Sequence, residues 1–234
     1  MGFTIGGIRD MRELRRAPRR RPRRDNHAPE VTAVAEYAGL WGWEVLPGAL
    51  AGHDGAGRLF CSCGEPRCDS PGAHPLDPEL VIRAGTTLEG VTRAWAECPG
   101  AGVLLPTGRS FDVVEAPHAA AELALLRMER LGLRLGPVAL APHGRVWFFT
   151  SPGTARLMPG LLDGMGWDAP TVDVRGLGPG HHITAPPSNH GGQGPVRWLR
   201  APGPESALSP PDGRLLLGTL AYTCQRGADL PAAG

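Results

Sequence analysis

Three cysteines and one histidine lie close together in a segment rich in glycine and proline. The segment reads CSCGEPRCDSPGAHP, and its candidate ligands are Cys61, Cys63, Cys68 and His74. Zn²⁺ takes four thiolate or imidazole ligands in a tetrahedron, and turns built on glycine and proline can fold a short loop around a single ion. The spacing therefore predicts a structural zinc loop over residues 58–76.

Alternatives remain open for this segment. The thiols could instead be inert and buried, or Cys61 and Cys63 could form a disulfide, although that bridge would close a strained small ring and the chain shows no secretory apolar segment. His53 could replace His74 as the fourth ligand. Cys98 and Cys224 are isolated in the sequence and are interpreted as small buried hydrophobic residues.

Positive charge is concentrated at the start of the chain. Residues 1–24 contain nine arginines against Asp10 and Glu13, whereas the whole chain carries a formal net charge of +1. Prolines among like charges favour disorder, so residues 1–29 are predicted to be a disordered arginine-rich arm suited to a phosphate backbone. A solubilising tail or a mis-assigned start codon is the alternative. No apolar run is long enough to span a membrane, and we expect a cytoplasmic protein without membrane contact.

Helical and strand-like segments alternate irregularly after the arm. VTAVAEYAGLWGW, TTLEGVTRAWAECPG and HAAAELALLRMERLG have helical spacing, and RLLLGTLAYTC is predicted as a helix or a strand. GVLLPTG with SFDVVEAP is predicted as one hairpin, and PVALAPHGRVWFFTSP as a second. These elements favour an α+β domain over residues 30–205, with a mixed or antiparallel sheet and flanking helices. Residues 206–234 are predicted as a C-terminal extension.

The element order and several motifs resemble the N-terminal primase-polymerase (Prim-Pol) domain of the bifunctional DNA primase/polymerase family. The resemblance covers about residues 32–200, and its motifs are AEYAGLWGWEVLP, PGAHP, CPGAGVLLPTG and VDVRGLGPGHHITAPPSNHGGQGPVRWL. It implies the fold of the archaeo-eukaryotic primase superfamily with an inserted zinc loop. It also implies template-directed nucleotidyl transfer, in which carboxylates hold two divalent metal ions, Mg²⁺ or Mn²⁺.

The carboxylates that this chemistry needs are incompletely present. Alignment of the family's Asp-x-Asp-Pro or Asp-x-Glu-Pro pattern on the proline of FDVVEAP places the two acids at Val114 and Ala116. Asp112 shares their face of the strand and could still look into the site, whereas Glu115 would need a bulge to do so. Asp173 matches the third acid, or is an exposed strand acid paired with its neighbouring arginine. The resemblance thus gives Asp112, Glu115 and Asp173 as candidate catalytic residues.

The residues that would contact phosphates also depart from the family pattern. Val146 occupies the position at which the family usually has a histidine, in the pattern Gly-x-His. His143, in the preceding turn, could replace this histidine, but it does not have the same alternation along the strand. The remaining candidates for nucleotide or nucleic-acid binding are Arg145, Arg175, His182, Ser188 and His190. For His182, a place in a surface turn is the alternative.

Three functions are compatible with this pattern. The chain could be an active primase-polymerase, a catalytically degenerate module that binds nucleic acid or nucleotides in replication or repair, or a zinc-stabilised protein-interaction module. Loss of two acids together with the histidine favours the degenerate module, since each missing ligand of a two-metal site costs transition-state stabilisation. Its expected partners are single-stranded DNA, template-primer or nucleotides, with any helicase supplied by a separate chain.

Overall fold

The computed structural model describes residues 28–228, so the predicted arginine-rich arm lies outside it except for its last two residues. The helices are α1 (Ala28–Ala35), α2 (Leu88–Ala96), α3 (His118–Arg130), α4 (Thr154–Gly164), α5 (Pro204–Leu208) and α6 (Arg214–Ala228). A π-helical turn, Glu36–Leu40, continues α1, and a 3₁₀ turn spans Ala169–Thr171. The chain between residues 28 and 228 contains no helix that is both long and apolar enough to cross a membrane.

The strands form two antiparallel sheets and one hairpin. They are β1 (Leu46–Gly48), β2 (Ala51–His53), β3 (Leu59–Cys61), β4 (Gly102–Pro106), β5 (Asp112–Pro117), β6 (Val138–Leu140), β7 (Arg145–Thr150), β8 (Arg175–Leu177), β9 (His182–Thr184) and β10 (Arg197–Arg200). The larger sheet has the order β10-β6-β7-β5-β8, the smaller sheet has the order β1-β4-β9, and β2 pairs with β3. Antiparallel sheets with helices confirm the predicted α+β class.

The larger sheet is covered on both faces. Side chains alternate along a strand, so Val114 and Ala116 of β5 lie on one face and Val113 on the other. The first two pack with α3, α4 and α6 in one core cluster, and we call this side the helix face. Val113 packs in a second core cluster with Trp147 and Phe149 of β7, on the side that we call the cleft face.

Stacked and edge-on aromatic rings anchor the core of the cleft face. Phe149 lies 4.5 Å from Phe111 and 5.4 Å from Trp43 between ring centroids. Each such pair contributes about 0.5–1.5 kcal/mol beyond its buried area. Tyr37 joins the cluster through Trp43 and donates a hydrogen bond of 2.6 Å to the carbonyl of Pro186. This cluster holds α1 and the loop after β9 against the larger sheet.

The predicted hairpin of GVLLPTG and SFDVVEAP is wrong. These segments are β4 and β5, and they belong to different sheets: β4 pairs with β1 and β9, whereas β5 pairs with β7 and β8. Each strand is already paired along both edges by other strands, so neither has an edge free for the other. The turn between them passes the chain from the smaller sheet to the larger one.

Most other predicted elements are present. The β6–β7 hairpin forms, and α2 begins after Thr87, whose side chain accepts a hydrogen bond from the Gly90 amide at 3.2 Å. RLLLGTLAYTC belongs to α6, and α4 was not predicted. Leu217 and Leu220 of α6 are fully buried against α3 and the helix face. The segment assigned to a C-terminal extension therefore supplies part of the core.

Loss of a buried leucine from α6 tests this packing. Leu217→Ala removes buried methyl groups and leaves a cavity, so we expect the free energy of unfolding to fall by about 2–5 kcal/mol. Leu215, on the exposed side of the same helix, is the matched control, and Leu215→Ala should change it by less than about 1 kcal/mol. Chemical denaturation measures both values. Equal effects of the two substitutions would contradict the packing of α6.

Candidate functional site

A cavity of about 410 Å³ opens at the edge of the cleft face, and we call it the cleft. Its floor contains Glu115 of β5 and Trp147 of β7. His182 of β9 and His190 in the following loop line one side, and Asp69, Ser70, Pro71 and Ala73 of the cysteine-rich segment line the side next to them. The cleft is thus built where the two sheets and the cysteine-rich segment meet.

Glu115 is the only one of the three candidate catalytic acids that lines the cleft. Its Oε2 accepts a hydrogen bond from Trp147 Nε1 at 2.9 Å, and its Oε1 accepts one from Arg145 Nε at 3.1 Å. The side chain is only 12% exposed. Both carboxylate oxygens are therefore already engaged by protein donors.

Arg145 bridges Glu115 to a second acid. Its Nη1 donates to both carboxylate oxygens of Asp173, at 3.0 and 2.9 Å. Burial by itself lowers the pKa of Arg145, but the hydrogen bond that it donates to Asp173 and the negative charge of Glu115 outweigh burial and raise that pKa. A permanently charged guanidinium therefore lies between the two acids. The predicted partner of Asp173 was Arg175, and the structure gives Arg145 instead.

Asp112 lies on the opposite side of the sheet from the cleft. It is fully buried, and its Oδ2 accepts a hydrogen bond from the Ala155 amide at 2.8 Å, in the first turn of α4. An acid at the start of a helix satisfies an unpaired amide and complements the helix dipole. The sequence correctly placed Asp112 on the face of Val114 and Ala116, but that face is the helix face. The structure therefore does not bring Asp112 together with Glu115 and Asp173.

The two positions of β5 that point toward the cleft side are Val113 and Glu115. Glu115 pairs with Trp147 across β7 and with Arg175 across β8, so these three side chains share the cleft face. Val113 is fully buried among apolar side chains. If the family's two acids are aligned one residue earlier than the proline of FDVVEAP suggests, they fall on Val113 and Glu115. The strand then keeps one of the two acids and has a valine in place of the other.

The predicted nucleotide-binding residues fall into different environments. Ser188 is buried and its Oγ accepts a hydrogen bond from the Val103 amide at 2.7 Å, which holds the loop after β9 to β4. His182 Nε2 donates to the Ala73 carbonyl at 2.9 Å, and His190 Nδ1 shares a hydrogen bond of 2.8 Å with Thr184. Arg175 is exposed and has no ion pair among residues 28–228. Of this set, Arg175 is the freely available cation.

Sequence reasoning missed Trp147 and gave His143 only as a stand-in. The β6–β7 turn carries His143 to the rim of the cleft, where its ring stacks on that of His190 at 4.7 Å. Burial, reinforced by the neighbouring His143, lowers the pKa of His190 to about 4. Burial also lowers the pKa of His143. Two neutral imidazoles therefore face the cleft at pH 7.

The cysteine-rich segment folds into a compact set of ligand atoms. One atom each from Cys61, Cys63, Cys68 and His74 lies within 4.8 Å of the others, so His74 completes the set, and His53, at the end of β2, is not part of it. His74 Nδ1 donates to the Pro75 carbonyl at 2.9 Å, which leaves Nε2, 3.4 Å from Cys61 Sγ, as the ligand atom. Such an outer hydrogen bond typically orients a metal-binding histidine.

The donor set fits a tetrahedral metal. Burial raises the pKa of Cys61, but hydrogen bonds from Cys63, Gly72 and His74 lower it overall to about 6. Burial and the neighbouring thiols raise the pKa of Cys68 to about 11. Several thiols in one small volume oppose one another's ionisation, and a divalent cation relieves that opposition. The cluster could therefore hold a metal such as zinc, and it defines what we call the Cys₃His loop, residues 58–76.

Fold and cleft together define an α+β domain with an acid-bearing cleft between two antiparallel sheets, walled on one side by a Cys₃His loop. The sequence model of the N-terminal domain of bifunctional DNA primase/polymerase, Prim-Pol, matches residues 34–212. The chain belongs to this family, which confirms the resemblance of the motifs. Searches of curated proteins and of solved structures found no match.

Substitution of a loop cysteine tests the metal cluster. Cys63→Ser replaces a thiolate ligand, so we expect loss of bound zinc and a lower melting temperature, because metal binding and folding of such a loop are coupled. Cys98→Ser and His53→Ala, which lie outside the cluster, should keep one zinc per chain. Elemental analysis and thermal melting provide the two readouts. A natively purified chain without metal would contradict the site.

Acidification tests the environment of His190. Its pKa of about 4 in the folded chain is below the ordinary 6.5, so the unfolded chain takes up the proton first and stability is lost as the pH falls from about 6.5 to about 4. His190→Gln removes this titration and should flatten the melting temperature across that window. His181→Gln, at an exposed neighbouring position, is the control. Identical pH profiles for His190→Gln and the unsubstituted chain would refute the assignment.

Proposed function

We propose that this chain is a catalytically degenerate Prim-Pol domain that binds single-stranded nucleic acid or nucleotides at its cleft and does not extend a primer. The observation that carries the proposal is the guanidinium of Arg145 between Glu115 and Asp173. In this proposal the Cys₃His loop holds a structural zinc ion. Family membership supports a primase/polymerase-like ancestry, and the geometry of the cleft supports the loss of catalysis.

Two-metal nucleotidyl transfer needs carboxylate oxygens that can approach Mg²⁺ to about 2 Å. Glu115 offers oxygens that already accept hydrogen bonds from Arg145 and Trp147. Asp112 caps α4 on the other face, and Val113 supplies no oxygen. Of the three acids that the family resemblance gave, only Glu115 and Asp173 are on the cleft side, and both are paired with Arg145.

Charge repulsion adds to this shortage of ligands. A divalent ion about 4 Å from a fixed positive charge meets a repulsion of roughly 8 kcal/mol at an effective dielectric constant of 20. Displacing Arg145 would in turn leave Glu115, which is only 12% exposed, without its ion-pair partner. Breaking a buried pair of this kind typically costs about 3–5 kcal/mol. Arg145 therefore neutralises the negative charge of Glu115 and Asp173, as a metal ion would in an active site.

The cleft keeps features that suit a nucleic acid or a nucleotide. Arg175 is exposed beside Glu115 on the cleft face and can meet a phosphate. His143 is exposed at the rim and presents a neutral ring, and bases stack on such rings without regard to sequence. Together they offer one phosphate contact and one stacking surface to a single strand or a nucleotide.

Primer extension tests the loss of catalysis. The zinc-loaded chain, mixed with a primer-template, deoxynucleotides and Mg²⁺ or Mn²⁺, should give no product above that of Asp173→Ala. Binding is measured separately by the fluorescence anisotropy of a fluorescein-labelled oligothymidylate. Arg175→Ala should weaken binding and lower the slope of log affinity against log salt by about 0.7, the value for one phosphate contact on a single strand. Arg130→Ala, exposed at the end of α3, is the matched control.

Two outcomes would overturn the proposal. Template-dependent product that disappears in Asp173→Ala would show that catalysis survives. Absence of oligothymidylate and nucleotide binding at low salt would remove the binding role.

A further inference from the structure

One wall of the cleft belongs to the Cys₃His loop itself. Asp69, Ser70, Pro71 and Ala73 line the cleft, and they lie between two members of the ligand cluster, Cys68 and His74. The wall is therefore a short segment held at both ends by groups that would share one metal ion.

Two contacts seat this loop against the rest of the cleft. His182 Nε2 donates to the Ala73 carbonyl at 2.9 Å, which joins the loop to β9. On the other side, Gly192 lies so close to the β2–β3 hairpin that an added Cβ would meet Leu59 Cδ1 at 2.7 Å. Gly192 lies between Gly191 and Gln193, which both line the cleft. The loop is thus in contact with β9 and with the segment that follows β9.

Backbone hydrogen bonds hold the two ends of this loop, since Ser62 bonds to Leu50, and His74 and Leu76 bond to Ala49 and Pro47. Between these ends the loop has little regular structure of its own. Within residues 58–76 the strand is β3, which pairs with β2, and each of these two strands has three residues. An isolated two-stranded hairpin is marginal in water, and most of residues 54–70 are exposed. A metal ion that joins four ligands supplies the order that so short a hairpin lacks.

We propose that the metal of the Cys₃His loop controls ligand binding at the cleft, with His182 as the positioning residue that transmits the order of the loop to β9. The metal fixes residues 68–74, Ala73 then meets His182, and the wall closes one side of the cleft. Without the metal the wall separates from β9 and the cleft loses that side. This inference rests on the proposed function, since it concerns the same binding site.

Hydrogen–deuterium exchange on the full chain tests the coupling without any ligand. The Gly72 amide donates to Cys61 Sγ, and the Ala73 amide donates to the Ser70 carbonyl. After chelation of zinc, both amides and those of residues 182–184 should exchange faster, whereas α6 should keep its protection. Faster exchange confined to residues 58–76, with unchanged 182–184, would overturn the inference.

Oligothymidylate anisotropy then separates this inference from the proposed function. The zinc-loaded chain should bind, and chelation should weaken binding by about tenfold or more, with affinity restored when zinc is returned. Equal affinity with and without zinc would overturn the inference and leave the proposed function standing. If the zinc-loaded chain does not bind oligothymidylate, the proposed function is overturned. The inference that the metal controls this binding is then overturned as well.

Substitution of His182 tests the same link with the metal in place. His182→Leu removes the donor to Ala73 and should weaken oligothymidylate binding about threefold to tenfold while zinc content stays at one per chain, because a single hydrogen bond is lost. His182→Gln keeps an N–H donor and should restore much of the affinity. Full affinity in His182→Leu, or equal losses in the two variants, would contradict the positioning role.

Discussion

The ion-pair bridge from Glu115 through Arg145 to Asp173 is the interaction on which the cleft depends. The bridge joins β5 and β7 to the segment that leads into β8. It lies on the cleft face of the larger sheet, and helices cover the opposite face. Each acid in the bridge balances a cation that the chain itself supplies. In a two-metal enzyme, divalent ions balance the charge of such acids.

The alternation of side chains in the larger sheet decides which residues belong to the cleft. Asp112, Val114 and Ala116 face the helices, whereas Val113 and Glu115 face the cleft. From the sequence, the period of two shows that these residues form two sets. It does not show which set faces the helices, because α6 reaches the sheet from a distant part of the chain. The sequence therefore left open which set faces the cleft, and the structure places Asp112 on the helix face, beside the start of α4.

Local signals were sufficient for several other features. The spacing of Cys61, Cys63, Cys68 and His74 predicted their cluster. The helical spacing of apolar residues predicted α2 and α3. Signals that depend on distant contacts were not sufficient. The separation of β4 from β5, the burial of Ser188 under β4, and the approach of His143 to His190 all require the packing of the two sheets. The family motifs identified the class of fold, because a resemblance to a family brings with it that family's long-range contacts.

Mn²⁺ binding at the cleft tests most directly whether Arg145 replaces a metal ion there. Electron paramagnetic resonance of free Mn²⁺, in a titration of the zinc-loaded chain with a nucleoside triphosphate present, measures how much of the ion is bound. We expect the unsubstituted chain and Glu115→Gln to give the same titration, because the positive charge of Arg145 already pairs with Glu115. Mn²⁺ bound by the unsubstituted chain and lost in Glu115→Gln would contradict this expectation.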